Sequence, residues 1–238
     1  MLAKSGDKNG RKIRRVERYR EFRLFVGFAE EWFTNIVQSD DRHELLAEIY
    51  GFYILPGGRL GGVDNRMLEV FYGNRPIDHI CEVQWHPKEN SELSLPLPHR
   101  RFLTESGAAL RYQRTDDGSV VCFLQPSRSE NLRRPESEII LAVIREPRDL
   151  TGRPALERHW RALISYFECS SVDGNPSVTD RFRTWWLLFT RPVIIEKKVN
   201  GRRVLRVGGE ILKWALTIGL SGALLEVVRL SSKAWTGG

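Results

Sequence analysis

Residues 109–124 read ALRYQRTDDGSVVCFL. The strand-like runs Ala109 to Arg114 and Val120 to Leu124 flank Thr115-Asp116-Asp117-Gly118. Aspartates accept local backbone bonds and glycine tolerates a positive φ, so this pattern predicts an antiparallel hairpin. A second hairpin is predicted where Val193 to Val199 and Arg202 to Val207 flank Asn200-Gly201, the dipeptide best suited to a type I′ turn. Two hairpins commit this part of the chain to an antiparallel sheet. Glu138 to Ile144 is a continuous apolar run bounded by polar residues, as expected of a central strand.

Upstream the chain has a period of two. Met67 to Tyr72 and His79 to Trp85 are expected to pair, with Asn74-Arg75-Pro76 as their turn. On the second strand Cys81, Val83 and Trp85 share an expected buried face, and Glu82 and Gln84 the polar one. The prolines of Ser91 to Pro98 confine that stretch to an edge or an extended connection. The loop PGGRLGG, residues 56–62, is expected to be mobile.

Helical spacing brackets these strands. Ile13, Val16, Tyr19, Phe22, Phe25, Ala29, Trp32, Phe33, Ile36 and Val37 recur at threes and fours, the stripe of a long amphipathic helix beginning near Arg11. His43 to Leu55 suggests a second helix. Leu156, Trp160, Leu163, Ile164 and Phe167 stripe a third, with Pro154 in its first turn. Phe182, Trp185, Trp186 and Phe189 stripe a fourth, capped by Thr179 or Asp180 and ended by Pro192. The order of elements predicts an α+β fold: a long basic N-terminal helix, a mostly antiparallel sheet with two hairpins, and an apolar C-terminal helix. The expected divisions are a disordered basic lead over 1–10, a helical region over 11–55, a mixed body over 56–207, and the apolar helix and tail over 208–238.

That last segment contains WALTIGLSGALL, residues 214–225, twelve uncharged residues between Lys213 and Glu226. Twelve falls short of the ~18–20 needed to span a bilayer. A buried core helix is the first reading, and an interfacial or marginally spanning helix the second. For the second, Trp214 and Trp235 bracket the segment, and upstream Arg202, Arg203 and Arg206 suit anionic headgroups.

With 238 residues, 41% of them hydrophobic, the chain is long enough to bury a core without a staple. Three widely spaced cysteines, Cys81, Cys122 and Cys169, fit free thiols in a reducing compartment. The N-terminus has a charged start but no apolar run behind it, so no secretory signal is expected. A cytoplasmic location follows from these two readings, with membrane association as an added possibility through the basic helix.

The formal charge is +7, and its placement matters more than its size. Residues 1–24 carry nine cations against three acids, while the remainder is nearly neutral. Arg11, Lys12, Arg14, Arg15, Arg18, Arg20 and Arg23 therefore form a local polyanion-binding candidate on an ordinary body. Arginine favours bidentate phosphate contacts, which both lipid headgroups and nucleic acids offer. Tyr19 and Phe22 lie among these arginines, placed either to stack on bases or to dip into a lipid interface. A solvated helix face is the plain alternative.

Catalytic patterns are few. His79, Cys81 and His86 lack the spacing of a tetrahedral site, so no metal is expected there. Asp64 before one strand and Glu82-Val83-Gln84 on the next resemble the Asp and Glu-x-Lys pattern of restriction-endonuclease-like nucleases, with Gln84 where lysine is usual. The resemblance covers residues 64–84 and implies acids that hold a divalent metal to activate water. Glu69 is a competing acid. A solvated polar strand face explains the same residues.

The expected function is a non-enzymatic interaction protein whose basic helix docks on a polyanionic partner, with an anionic membrane surface preferred and a protein partner for the body. The alternative is an RNA- or DNA-binding protein using the same arm, and the third reading is the metal-dependent nuclease. No cofactor is expected, apart from a divalent metal under the nuclease reading.

Overall fold

The computed structural model describes residues 3–62, 66–85, 96–130, 134–196 and 198–200; for 3–12, 82–85 and 96–99 it describes the backbone. The chain opens with α1 (Ala3–Val37). The helix thus begins ahead of Arg11, and residues 3–10 are its first turns rather than a disordered lead. Extending a helix costs far less than nucleating one, so Gly6 and Gly10 do not stop it. Next comes α2 (Asp41–Tyr50), capped by Asp40, which accepts from the Arg42 amide. Gly51 ends α2, so the predicted helix to Leu55 is instead helix then strand: β1 (Phe52–Pro56) pairs with β2 (Met67–Tyr72).

The strands β3 (Asn74–Trp85), β4 (Pro96–Ser106), β5 (Ala109–Arg114), β6 (Val120–Gln125), β7 (Arg128–Ser129) and β8 (Glu138–Ile144) follow. A 3-10 turn (Pro147–Leu150) leads to α3 (Arg153–Ser170), α4 (Val178–Thr190), β9 (Val193–Ile195) and β10 (Lys198–Asn200). They form a seven-stranded sheet, β1-β2-β5-β6-β8-β9-β10, and a three-stranded sheet, β3-β4-β7. Every described pairing is antiparallel. The fold is α+β.

The hairpin over 109–124 forms as its sequence predicts, with Arg114 opposite Val120 and Gly118 at φ +88°. β8 lies inside the large sheet, between β6 and β9. Several expectations are corrected. β2 and β3 do not pair with each other: both edges of β2 are taken by β1 and β5, so after Gly73 the chain passes into the second sheet. Asn74-Arg75-Pro76 is strand rather than turn, and Pro76 sits where the β3–β4 register shifts, a bulge that tolerates its missing N–H. Pro96 and Pro98 belong to β4, which pairs with β3; β7 reaches only Glu105 and Ser106, so the prolines lie where the other side of β4 has no described partner.

Val193 to Val199 is not a single strand but folds back on itself as a hairpin. Asn200 is already paired with Val193, and the reversal uses Glu196 at φ +49°. Gly201 and the expected partner strand over 202–207 lie outside the described residues. Cys81 is exposed rather than buried. The loop over 56–62 is an ordered turn: Gly57 donates to the Met67 carbonyl at 2.8 Å, and Gly62 to that of Gly57 at 2.8 Å.

The core lies between α1 and α3 and one face of the large sheet. Leu68, Val70 and Tyr72 of β2, Leu110 and Tyr112 of β5, and Val120, Cys122 and Leu124 of β6 alternate inward. Phe22, Phe25, Ala29, Phe33 and Ile36 of α1 meet them, as do Leu156, Trp160, Leu163, Ile164 and Phe167 of α3. Phe25 meets Tyr112 edge-on at 5.2 Å, and Tyr72 lies 5.1 Å from Phe167. Helices and sheet therefore share one core.

Candidate functional site

The buried stripe of α1 begins at Phe22; before it, the helix is held by polar contacts at its edge. Arg18 donates from Nη2 to Glu146 at 2.8 Å and from Nη1 to the Asp117 carbonyl at 3.4 Å. Tyr19 donates from its hydroxyl to the Asp116 carbonyl at 2.7 Å, and Glu21 accepts from the Arg148 amide at 3.3 Å. The Arg114 guanidinium sits 3.5 Å from the Tyr19 ring centre and that of Arg15 5.5 Å. The contact is close because residue 118 is glycine: a Cβ there would come within 2.7 Å of the Arg18 Cβ.

Electrostatics follow the geometry. The hydrogen bond from Arg18 lowers the Glu146 carboxyl below its ordinary value, and Glu146 in turn raises the Arg18 guanidinium. Hydrogen bonds from Thr115 and Ser119 lower Asp117 to about 2. Arg18 is thus half-buried and neutralised within the fold. Arg14, Arg15, Arg20 and Arg23 are exposed, and of Arg11 and Lys12 the backbone alone is described.

The outward face of α1 carries a signal that the sequence reading merged with the core stripe. Ile13 and Val16 do not continue the buried face; they are 59% and 44% exposed. Leu24 and Phe28, at 58% and 49%, lie on the same side, four residues apart, with Arg20 between Val16 and Leu24 in the row. Arg23 lies beside that row, and Glu17 is the exposed acid within it. Phe28 stacks on the half-buried Trp32 at 5.8 Å, which fixes its ring. From Ile13 to Phe28 the row is about 22 Å long at 1.5 Å per residue. Leu24 and Phe28 were legible in principle, since they break the 3.6 period of the core stripe and so need a second face.

The remaining candidates are not brought together. Asp64 lies outside the described residues, and of Glu82 and Gln84 the backbone in β3 alone is described. Glu69 is buried and engaged by Arg59, whose amide and Nη2 both lie at 2.8 Å. Among the described residues no three His, Cys, Asp or Glu side chains are grouped to hold a metal ion. Arg202, Arg203, Arg206, Trp214 and Trp235, with the predicted C-terminal helix, lie outside the described residues.

Two buried polar clusters also stand out. His159 Nδ1 is 3.0 Å from the Tyr112 hydroxyl and 3.8 Å from the Cys122 sulfur. Burial pushes the thiol and phenol up and lowers His159 to about 4, so all three are neutral near pH 7 and the thiol is a core group rather than a nucleophile. Glu105 accepts from Tyr50 at 2.7 Å, from Arg75 at 2.9 Å and from the Val172 amide at 2.8 Å. That network ties β3, β4 and the α2 end to the segment after α3.

No protein family, curated protein or solved structure matches this chain. The functional reading accordingly rests on the side chains of α1. Among the described residues no helix is long and apolar enough to cross a membrane. A mixed row of apolar and cationic side chains on one exposed helix face is instead suited to lying along an interface.

Proposed function

We propose that this protein is a non-enzymatic interaction protein that docks on an anionic membrane surface through the outward face of α1. One observation carries the proposal: Ile13, Val16, Leu24 and Phe28 are exposed in a single row that contains Arg20 and runs beside Arg23. Apolar side chains in such a row enter the acyl boundary, while arginines at its level meet the phosphates. An RNA or DNA surface has use for the arginines but not for this apolar row. The rings placed to stack on bases are also taken, Phe22 by the core and Tyr19 by Asp116, Arg15 and Arg114.

The test is flotation of the nuclease-treated protein with vesicles of neutral phosphatidylcholine, with and without phosphatidylserine. Binding is expected with the anionic vesicles alone. An Arg20→Glu/Arg23→Glu double variant should weaken it by about tenfold or more, on the scale of ~1 kcal/mol per basic residue at the surface. Leu24→Ser/Phe28→Ser should weaken it on both low and high salt, which a purely electrostatic contact would not show. Absent flotation overturns the proposal; nucleic acid co-purifying before digestion, with affinity falling steeply with salt, would move α1 to a nucleic-acid backbone.

A further inference from the structure

Phe182, Trp185 and Trp186 of α4 are 62%, 54% and 50% exposed, with Val178 before them more exposed still. The sequence reading expects these rings to be the core stripe of the helix. Instead α4 docks on α3 through a polar seam: Asp180 accepts from the Ser165 hydroxyl at 2.7 Å, and Thr184 donates to the Ser165 carbonyl at 3.2 Å. Ser177 caps the helix in a reciprocal box with Asp180, which holds that seam at the first turn. Val178, Phe182 and Trp186 recur at fours along the side opposite the seam, with Trp185 and Phe189 beside them. The rings are ordered against one another, Trp185 on Phe189 at 5.3 Å and 7° and Phe182 on Trp186 at 6.4 Å and 17°. Scattered exposed apolar residues are ordinary, but a contiguous aromatic face of this kind marks a contact surface.

The charge around this face indicates the chemistry of its partner. Asp180 is the only acid of α4, and it is buried against Ser165, Ser177 and Arg42. Arg181 beside the first rings and Arg191 at the C-terminal end are both exposed. The helix therefore presents rings and cations and no exposed acid. A second copy matches this poorly: an antiparallel α4 pair centred on Trp186 sets Arg181 of each copy near Arg191 of the other, and like charges across an interface are repulsive. An anionic bilayer matches both features, because tryptophan and phenylalanine settle at headgroup level while neighbouring arginines meet the phosphates. The placement of α4 fits the same partner. Leu187 and Leu188 pack against the core that α1 and α3 share, so α4 lies on the helix-bearing side of the large sheet. On α1 and α4 alike the exposed row lies opposite the buried residues and faces away from that core.

We propose that the Val178–Phe189 face of α4, with Arg181 and Arg191, is a second lipid-contact surface for an anionic bilayer. The inference shares its partner with the α1 reading and adds a separate element with its own side chains. Two contacts carried on one body bind as a bivalent unit, so loss of either one weakens binding more steeply than its own affinity suggests.

The experiment is flotation of the nuclease-treated full chain with phosphatidylcholine vesicles containing phosphatidylserine. A Trp185→Ser/Trp186→Ser variant should bind at least about tenfold less than the original chain, since each half-exposed ring withdraws apolar area from water on binding. Its denaturant midpoint should be unchanged, because these rings lie outside the core. A photo-crosslinking phenylalanine derivative at position 186 gives a readout that removes no second ring, and it should form an adduct with lipid when vesicles are present. Equal flotation of the variant and the original chain overturns the proposal, as does an adduct within the chain or to a second copy in place of lipid. The two faces fail separately. If Leu24→Ser/Phe28→Ser weakens flotation and the α4 variant does not, the α1 reading stands without this one; the reverse pattern overturns the α1 reading alone. Absent flotation of the original chain overturns both.

Discussion

The Arg18 guanidinium on α1 lies 2.8 Å from the Glu146 carboxylate, 128 positions along the chain. It converts one arginine of a basic run from a ligand-binding candidate into the fastening that sets α1 against the β5–β6 turn and the 3-10 turn. The neighbouring Arg14, Arg15, Arg20 and Arg23 remain exposed. One run of like residues thus has two structural roles, divided by what each side chain can reach.

This fastening is acid-sensitive. Folded Glu146 and Asp117 both titrate below their ordinary values of 4.5 and 3.8, so the unfolded chain takes up protons first. Their contribution is complete above about pH 5 and is lost as pH falls towards 2. After correction for intrinsic rates, hydrogen exchange of residues 13–21 should accelerate across that window before the sheet opens. Arg18→Ala should remove the Glu146 part of the step; an unchanged profile would show that the pair does not hold α1.

Gly118 is required twice, by its φ of +88° and by its approach to Arg18. Gly118→Ala should therefore destabilise by about 1 kcal/mol or more, read as a lower denaturant midpoint with an unchanged slope. A neutral or stabilising result would contradict the close contact of α1 with this turn.

Glu105 is 1% exposed and balances Arg75, which is itself mostly buried. Glu105→Ala leaves the Tyr50 hydroxyl and the Val172 amide without their acceptor and leaves Arg75 with only the exposed Asp173 at 2.7 Å, and should cost about 2–3 kcal/mol, a fall in Tm of about 5–10 °C. Glu105→Gln, which keeps an acceptor for Tyr50 and the Val172 amide, should fall between the two. Similar Tm values for all three proteins would mean that the network contributes little.

His159 should titrate near pH 4, visible in its imidazole NMR signals, against 6.5 for the free group. Because burial lowers the folded value, the unfolded chain binds the proton first. Stability is then full above about pH 6.5 and falls as pH drops towards 4, by up to about 3 kcal/mol. His159→Gln should flatten this slope between pH 6.5 and 4, whatever it does to the stability at pH 7. A slope unchanged in the variant would place the acid sensitivity elsewhere.

Much of the fold is legible because it is decided locally. Thr115-Asp116-Asp117-Gly118 makes its turn from its own side chains, and Leu156 to Phe167 carry the period of a helix, with the stripe buried as a set. Strand partners are less legible. Met67 to Tyr72 alternates as a strand should, but the run cannot state that Phe52 to Pro56 and Ala109 to Gln113 occupy its two edges. Val193 to Val199 likewise reads as one strand, and nothing in the run states that Glu196 turns it back on itself.

By itself the sequence determined the α+β class, the first hairpin, the α3 core stripe and the concentration of positive charge before residue 25. Each depends on short-range periodicity, turn chemistry or composition, which a linear chain carries in full. The tertiary structure alone decided which apolar faces are buried. Periodicity shows that a helix has an apolar face, and the direction of that face depends on what lies opposite. The Ser165 contacts of Asp180 and Thr184 turn the α4 aromatics outward. On α1 the sheet covers Phe22 to Ile36 on one side and leaves Ile13, Val16, Leu24 and Phe28 exposed on the other.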